Sequence, residues 1–433
     1  MMPVSLKISQ IADVKGGKRL PKGEELLSVV TDHPYIRAQD IRDGKITIED
    51  RKYLSSEQYK RLKRYTVSTE DVCIVIVGAN VGDVGIVPPE LHGANLTENA
   101  VKLTNFRSGW VPRYINYCLS AETCQAQMQQ IAGGAAQPKL GIYKVLDVEV
   151  PVASPSAQSR IVSILSAYDD LIENNTRRMK TLEEMARLFY NEWFVKLRFP
   201  GYEKVKMVES ELGPIPEGWG VGQFSDLGGL ARESISPGRF EDEVFAHYSF
   251  EAFDAGCIPL LHEGKTIKSN KYIVVPNCVL LSKLNPRIPR VWMPYPRGSK
   301  RAIASTEFLV IVPKKPFTRE FLYCSCRSDG FLRGLVGRAL GTSSSHQRVK
   351  PEELMGLPFV TPSEIVVEKF TYLITSVLEQ IEALRLKNAN LRHTRDLLLP
   401  RLISGELDVE NLDIAIPDPA RNGETAAVVP ATI

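Results

Sequence analysis

Two loops in this chain offer side chains able to bond the edges of stacked base pairs. The first runs Gly133-Gly-Ala-Ala-Gln-Pro-Lys139, and the second runs Gly341-Thr-Ser-Ser-Ser-His-Gln-Arg348. The amide of Gln137 presents one donor and one acceptor at the spacing of an adenine edge. The guanidinium of Arg348 matches the paired acceptors of guanine, and Lys139, Ser345, His346 and Gln347 add further donors and acceptors. Different residues at matching places would suit two modules that read different sequences. The same residues are equally those of an ordinary polar loop.

Charge gives a second signal. Between Glu263 and Glu307 stand nine basic residues and no acidic one: Lys265, Lys268, Lys271, Lys283, Arg287, Arg290, Arg297, Lys300 and Arg301. Tyr272, Trp292 and Tyr295 are interleaved with them. A one-sided cationic stretch suits a polyanion, because each neutralised phosphate releases counterion. The competing reading is a solvated basic face over a few core aromatics. The first half has a weaker counterpart in Lys15, Lys18, Arg19 and Lys22, with Arg37 as a further candidate. A second group, Arg51, Lys52, Lys60, Arg61, Lys63 and Arg64, lies partly on a helix-like segment and reads as a solvated helix face. The formal net charge is only +3, so local charge has to carry the case for nucleic acid.

Chemistry on bound nucleic acid would need more. Adenine methylation calls for an Asn/Asp-Pro-Pro-Tyr/Phe motif around the flipped base. The nearest stretches, Asn285-Pro-Arg and Met293-Pro-Tyr, do not supply it. No carboxylate cluster suited to a nuclease metal appears in the basic stretch, and the six histidines read as isolated. Gly78-Ala-Asn-Val-Gly82 lacks the Lys-Ser/Thr of a phosphate loop and reads as a tight turn. The seven cysteines are scattered without a CxxC pair, as expected of reduced thiols in a cytoplasmic protein. The chain reads as non-catalytic, with no metal site.

The elements that must position these loops come in duplicate. Pro151-Val-Ala-Ser-Pro155 and Pro358-Phe-Val-Thr-Pro362 each follow a glycine-rich loop and precede a long helical pattern. In the first helix the inward positions are Ile161, Leu165, Tyr168, Ile172, Asn175, Met179, Leu182, Ala186, Phe189 and Trp193. In the second they are Phe370, Ile374, Val377, Ile381, Leu384, Asn388, Leu391, Arg395, Leu398 and Leu402. Spacings of three and four alternate in both, as in a coiled coil. The two sets superimpose at a constant offset of 209 residues, Leu182 falling on Leu391. Ser154 and Thr361 are expected N-caps before a proline, and Thr361 with Glu364 completes a capping box. Asn175 and Asn388 interrupt the two stripes at non-equivalent places and are candidates for setting register; a frayed edge is the plainer alternative.

The globular segments mix short strands and helices. Strands are expected at Asp71–Val77, Val84–Val87, Ala100–Leu103, Tyr272–Leu281, Arg290–Met293 and Phe308–Val312, and helices at Val111–Ile131 and Arg319–Leu340. The expected fold is α+β, with two globular modules separated by two long coiled-coil helices. The expected boundaries are residues 1–155 and 206–361 for the modules, 156–205 and 362–410 for the helices, and 411–433 for a disordered tail. No apolar leader or membrane-length run appears, so the expected compartment is the cytoplasm.

The sequence resembles the specificity subunits of type I restriction–modification enzymes from its start to about Asp413. The likeness is carried by Tyr35-Ile-Arg-Ala-Gln-Asp-Ile-Arg-Asp-Gly44, Gly133–Val145, Gln158–Asn174, Glu192-Trp-Phe194, Leu212-Gly-Pro-Ile-Pro-Glu-Gly-Trp219 and Leu397-Leu-Leu-Pro-Arg-Leu-Ile-Ser-Gly-Glu-Leu407. The second half departs more, and Gln158 has no counterpart near Val366. The resemblance implies that each module reads one half of a split, asymmetric site in double-stranded DNA. It implies assembly with two methyltransferase subunits, which hold S-adenosylmethionine, and with restriction subunits, which use ATP and Mg. It also implies helices that pair as an antiparallel coiled coil and act as a ruler. About 33 residues at ~1.5 Å rise span roughly 50 Å, or roughly 15 base pairs at ~3.4 Å. A coiled-coil adaptor that reads no sequence is the alternative.

Overall fold

The computed structural model describes residues 4–47, 50–133, 138–339, 347–410 and 412. The chain forms two compact units, Met1–Asp170 with Arg392–Ile433, and Leu171–Leu391. Each long helix passes from one unit into the other. Gln137, Ser345, His346 and nearly all of the expected tail lie outside the described residues.

In the first unit Val72–Val75 is buried at every position, so both of its faces need cover. Val72 and Ile74 pack with Tyr114, Ile115, Cys118 and Leu119 of the helix Pro112–Ser120. Cys73 and Val75 point the other way, into a core with Ile36, Ile41, Val87 and Leu96. The strand lies within an antiparallel sheet in the order Asp13–Gly16, Ala100–Thr104, Val72–Val75, Val84–Ile86. Beside it, Pro34–Ile36 runs parallel to Asn95–Leu96 and antiparallel to Lys52–Tyr53. Ser5–Lys7 pairs with Glu149–Pro151 and ties the module's beginning to its end.

The second unit repeats this plan. Gly228–Ala231, Phe308–Pro313, Val279–Ser282 and Val291–Trp292 form an antiparallel sheet in the same order. Val279 and Leu281 face the helical side, and Leu280 faces the second sheet. That second sheet has five strands, and again one parallel pair, Val244–Tyr248 with Ala302–Ala304. Gly220–Gln223 pairs with Pro358–Thr361 as the closing ribbon. The duplication expected from the helices therefore extends through the whole module, and the mixed sheet-and-helix class is as expected.

Several elements differ from expectation for identifiable reasons. Tyr272–Leu281 is not one strand. Pro276 cannot donate to a ladder and Asn277 takes φ 56°, so Lys271–Ile273 and Val279–Ser282 join different sheets. The expected helix 111–131 breaks at Ala121, which is extended, and the expected helix 319–340 restarts at Ser328, whose side chain caps Phe331. Thr361 is not the second long helix's cap. It is held in the ribbon opposite Gly220, so the helix Glu364–Ile403 begins after Ser363, and the Thr361–Glu364 box does not form. Ser154 does cap the first, Pro155–Tyr190, by accepting from the Ala157 amide at 3.1 Å.

Within each unit the two long helices run antiparallel. In the first unit Arg395 Nη1 donates to Asp169 at 2.6 Å, and Ile161 and Leu165 pack in one core with Leu398, Leu402 and Ile403. In the second, Asn175 meets Asn388, and Tyr190 meets Phe370. Ile161, Leu165, Ile172, Asn175, Phe370, Ile374, Ile381 and Asn388 are buried; Tyr168, Leu182, Val377 and Leu391 are half-buried. Phe189, expected inward, is 37% exposed, and Tyr190 is buried instead. Here the helix faces two partners, Phe370 and the helix Arg319–Cys326, which turns the buried arc before the π-helical turn Asn191–Val195.

Gln158 is the clip between the first helix and its module. It is 1% exposed. Its Nε2 donates to the carbonyls of Gly109 (3.1 Å) and Ala153 (2.9 Å), and its Oε1 accepts from the Val111 amide (2.9 Å). Replacing it with alanine leaves three backbone groups without this partner and opens a void. Gln158→Ala is expected to destabilise the first unit by about 2–4 kcal/mol, read as a lower urea midpoint. Unchanged unfolding would refute the clip.

Candidate nucleic-acid interface

Of the loop residues singled out for base contact, Lys139 in the first unit and Gln347 and Arg348 in the second lie within the described residues, and each set sits against a strand turn in a device built once in each unit. Eight residues join an inner strand of the four-stranded sheet to its edge strand in both modules, 76–83 in the first and 283–290 in the second. Each turn is closed at its neck by the same backbone bond, Val75 to Asp83 at 2.8 Å and Ser282 to Arg290 at 2.9 Å. Each is then tied to the glycine-rich loop. The Gly78 amide donates to Pro138 O, and the Asn285 amide donates to Gln347 O. Val77 bridges Lys139, and Leu284 bridges Arg348. Leu140 closes on Ile76 as Val349 closes on Lys283. Finally Ile76 donates to Asn99 O as Lys283 does to Glu307 O.

Sequence inspection paired the glycine-rich loops but passed over the strand turns. The first of these, Gly78–Gly82, is indeed a tight turn: Gly78 and Gly82 take φ +103° and +97°, which only glycine adopts cheaply. What had no signal in the sequence was its contact with the loop some 60 residues on. Asn80 stands at the turn's outer end, exposed, and its side chain has no partner among the described residues. It lines an open cleft of about 710 Å³ together with Arg19, Lys22, Arg37, Gln39 and Asn99.

The other candidates separate by how far their charge is already satisfied. Arg37 is a structural ion pair: its guanidinium grips both Asp40 oxygens and also Asp50, and these contacts raise its pKa further. Arg19 is exposed but bonded to Glu98 at 2.7 Å. Lys18, Lys22 and Lys139 are exposed, with no ion-pair partner among the described residues. In the second module the run from Glu263 to Glu307 is not one-sided in space, because acids outside it fold back onto it. Arg290 holds Asp254 bidentately over the Phe250 ring. Arg301 holds Glu243 over Phe240, and Arg297 lies 3.9 Å from Glu382. Lys271 is buried, with its amine on Ser269. Arg348 donates to Glu307 at 2.9 Å. Lys283, Arg287 and Lys300 keep their side-chain charge unpaired among the described residues; Lys283 and Gln347 are half-buried, Arg287 and Lys300 exposed.

Two histidines that read as isolated are neighbours on adjacent strands. His247 and His262 approach Nδ1 to Nδ1 at 3.1 Å. Burial, Lys271 and His262 together lower the His247 pKa to about 4. Among the described residues no three His, Cys, Asp or Glu side chains converge as metal ligands. No described helix is long and apolar enough to cross a membrane.

Residues 4–184 match the family described as the type I restriction modification DNA specificity domain. The chain is 26% identical over 321 residues to the type I restriction enzyme MjaIX specificity subunit of Methanocaldococcus jannaschii, covering 71% of each. It is 21% identical over 439 residues to the MjaVIII specificity subunit of the same organism, covering 95% of each. Its fold is shared with the crystal structure of the type I restriction-modification system S subunit from M. genitalium, at TM-score 0.54 and 13% identity, over 93% of this chain and 99% of that one.

Proposed function

We propose that this chain is a specificity subunit of a type I restriction–modification system, as the family match over residues 4–184 and the similarity to such subunits support, and that it selects a split, asymmetric DNA site on behalf of catalytic partners. Each module reads one half-site. The observation that carries this is the repeated pair of loops, alike in the backbone bonds that tie turn to loop and to the neighbouring strand and different in side chains, as two readers of different sequences require. The chain supplies recognition. Methylation would come from two methyltransferase subunits carrying S-adenosylmethionine, and cleavage from restriction subunits using ATP and Mg.

Two copies of one partner fit an exposed apolar pattern that the duplication repeats. Leu188 and Leu397, 209 residues apart, are 47% and 57% exposed on the long helices. Exposed leucines recurring at the duplication offset suit a partner that docks twice on equivalent surfaces. The helices would also fix the gap between half-sites. One added heptad in each is about 10 Å of rise, or about 3 base pairs. Such a protein would work in the cytoplasm, where its seven unpaired thiols stay reduced.

The test is co-expression with the methyltransferase subunit of the same operon, followed by single-molecule mapping of methylated adenine across the genome. The expected result is one motif of two short half-sites around a fixed gap, with the gap about 3 base pairs longer, and the half-sites unchanged, in the heptad-insertion variant. A stable complex without a split motif would favour the adaptor reading instead.

A further inference from the structure

The two turns have the same length and share the neck bond, the ties to the glycine-rich loop and the tie to the neighbouring strand, and this allows a comparison that neither sequence alone offers. Asn80 is the fifth residue of the eight between Val75 and Val84. Arg287 is the fifth of the eight between Ser282 and Val291. The neck bonds, the ties to the glycine-rich loop and the tie to the neighbouring strand are repeated around both. Asn80 and Arg287 are therefore the same structural position, occupied by different residues. Both are exposed, and neither side chain is bonded within its module among the described residues. That sets Arg287 apart from Arg290 and Arg301, whose guanidinium groups are already gripped by carboxylates.

We propose that this shared turn position is a base-reading position in both modules, with Asn80 selecting an adenine in the half-site of the first module and Arg287 a guanine in that of the second. The inference rests on the reading of the chain as a DNA specificity subunit. The chemistry follows from the side chains. Asparagine offers one donor and one acceptor, which match N7 and the N6 amine of adenine. Arginine offers two parallel donors, which match O6 and N7 of guanine. The surroundings support edge reading over mere attraction to phosphate. Asn80 is uncharged and has no ion pair to gain from phosphate, yet it lies exposed on a cleft rimmed by Arg19 and Lys22. Phosphate contacts can come from Lys22 on the rim and from Lys139, leaving the neutral amide to discriminate. Beneath the turn the two modules also differ in a correlated way. Asn99 of the first is replaced in position by Glu307 of the second, and Glu307 anchors Arg348 beside the turn.

The experiment uses the intact chain in complex with its methyltransferase subunit and compares genome-wide methylation motifs. Asn80→Ala is expected to relax one adenine position in one half-site, with discrimination there falling about 10- to 100-fold. Arg287→Ala should relax one guanine in the other half-site by a similar factor. Asn80→Arg should shift the first position from adenine toward guanine. In each variant the untouched half-site serves as the internal control for folding and assembly. If the wild-type complex yields no split motif, the functional reading itself fails. If the wild type yields a split motif and Asn80→Ala leaves both half-sites unchanged, this assignment alone is overturned. A uniform loss of methylation in Arg287→Ala, without relaxation at any base, would overturn it too, making Arg287 a phosphate contact.

Discussion

Phe370→Ala should destabilise the second unit by about 3–5 kcal/mol, the range for emptying a fully buried aromatic site. Phe370 is 1% exposed. Its ring lies between 5.0 and 6.2 Å, centroid to centroid, from those of Tyr190, Trp193, Phe194 and Phe321. These residues come from both long helices and from the helix Arg319–Cys326, so one ring fastens the helix pair to the module within that unit. Several of the contacts are edge-on, the geometry that aromatic quadrupoles favour, and edge contacts are lost outright when the ring is removed. A cavity here cannot close cheaply, because the surrounding rings are bulky and each is held by others: Phe194 also packs on Trp219, which stacks on Phe199. Tyr372 is the control. Two residues along the same helix and 84% exposed, its change to alanine should move the urea midpoint by no more than about 0.5 kcal/mol equivalent. If Phe370→Ala cost less than about 1 kcal/mol, the cluster would not be packed as described.

What the sequence revealed and what it hid follow from the range of the forces involved. The long helices were legible because a heptad stripe is local, and their duplication was visible because both copies keep it. The strand Val72–Val75 was legible within the expected Asp71–Val77. The capping of the second helix was misjudged because Thr361 has two competing roles, cap and ribbon strand, and pairing with Gly220, 141 residues away, wins. The basic stretch misled for the same reason. Glu243, Asp254 and Glu382, which neutralise Arg301, Arg290 and Arg297, all lie outside it in sequence and meet it only in the fold. Arg37 sat in a family-like stretch that invited a DNA role, while its partner Asp40, three residues on, was in plain view. Asn80 was hidden differently. A turn looks like a turn in sequence, and only the tie from Gly78 to Pro138 places it beside the loop that carries Lys139.

Asn388→Leu alone should destabilise the second unit by about 2–3 kcal/mol, while the double variant Asn175→Leu/Asn388→Leu should recover most of that loss and yet lose a unique gap between half-sites. The two amides are the polar break in the helix stripe, at 9% and 1% exposure. Asn175 Nδ2 donates to Asn388 Oδ1 at 2.9 Å, and Asn388 Nδ2 reaches both Ile172 O and Thr176 Oγ1 at 3.1 Å. Removing one partner strands a buried donor, which costs more than the bond was worth; removing both lets leucines pack across the seam. The positions that repeat the pair at the duplication offset are Met179 and Leu384, both apolar, so the amides mark a single place along an otherwise repetitive seam. A slip of one heptad would set Asn388 opposite Tyr168 or Leu182, neither of which offers a carboxamide. Register is therefore specified here at some cost in stability. The check is a urea melt of each variant beside the methylation motif of its complex. A double variant as unstable as the single would show that the amides pack for shape. A stabilised double variant that keeps one gap would move the register lock elsewhere, and the Asp169–Arg395 pair, which also takes the Tyr117 hydroxyl at 2.7 Å, is the next place to test.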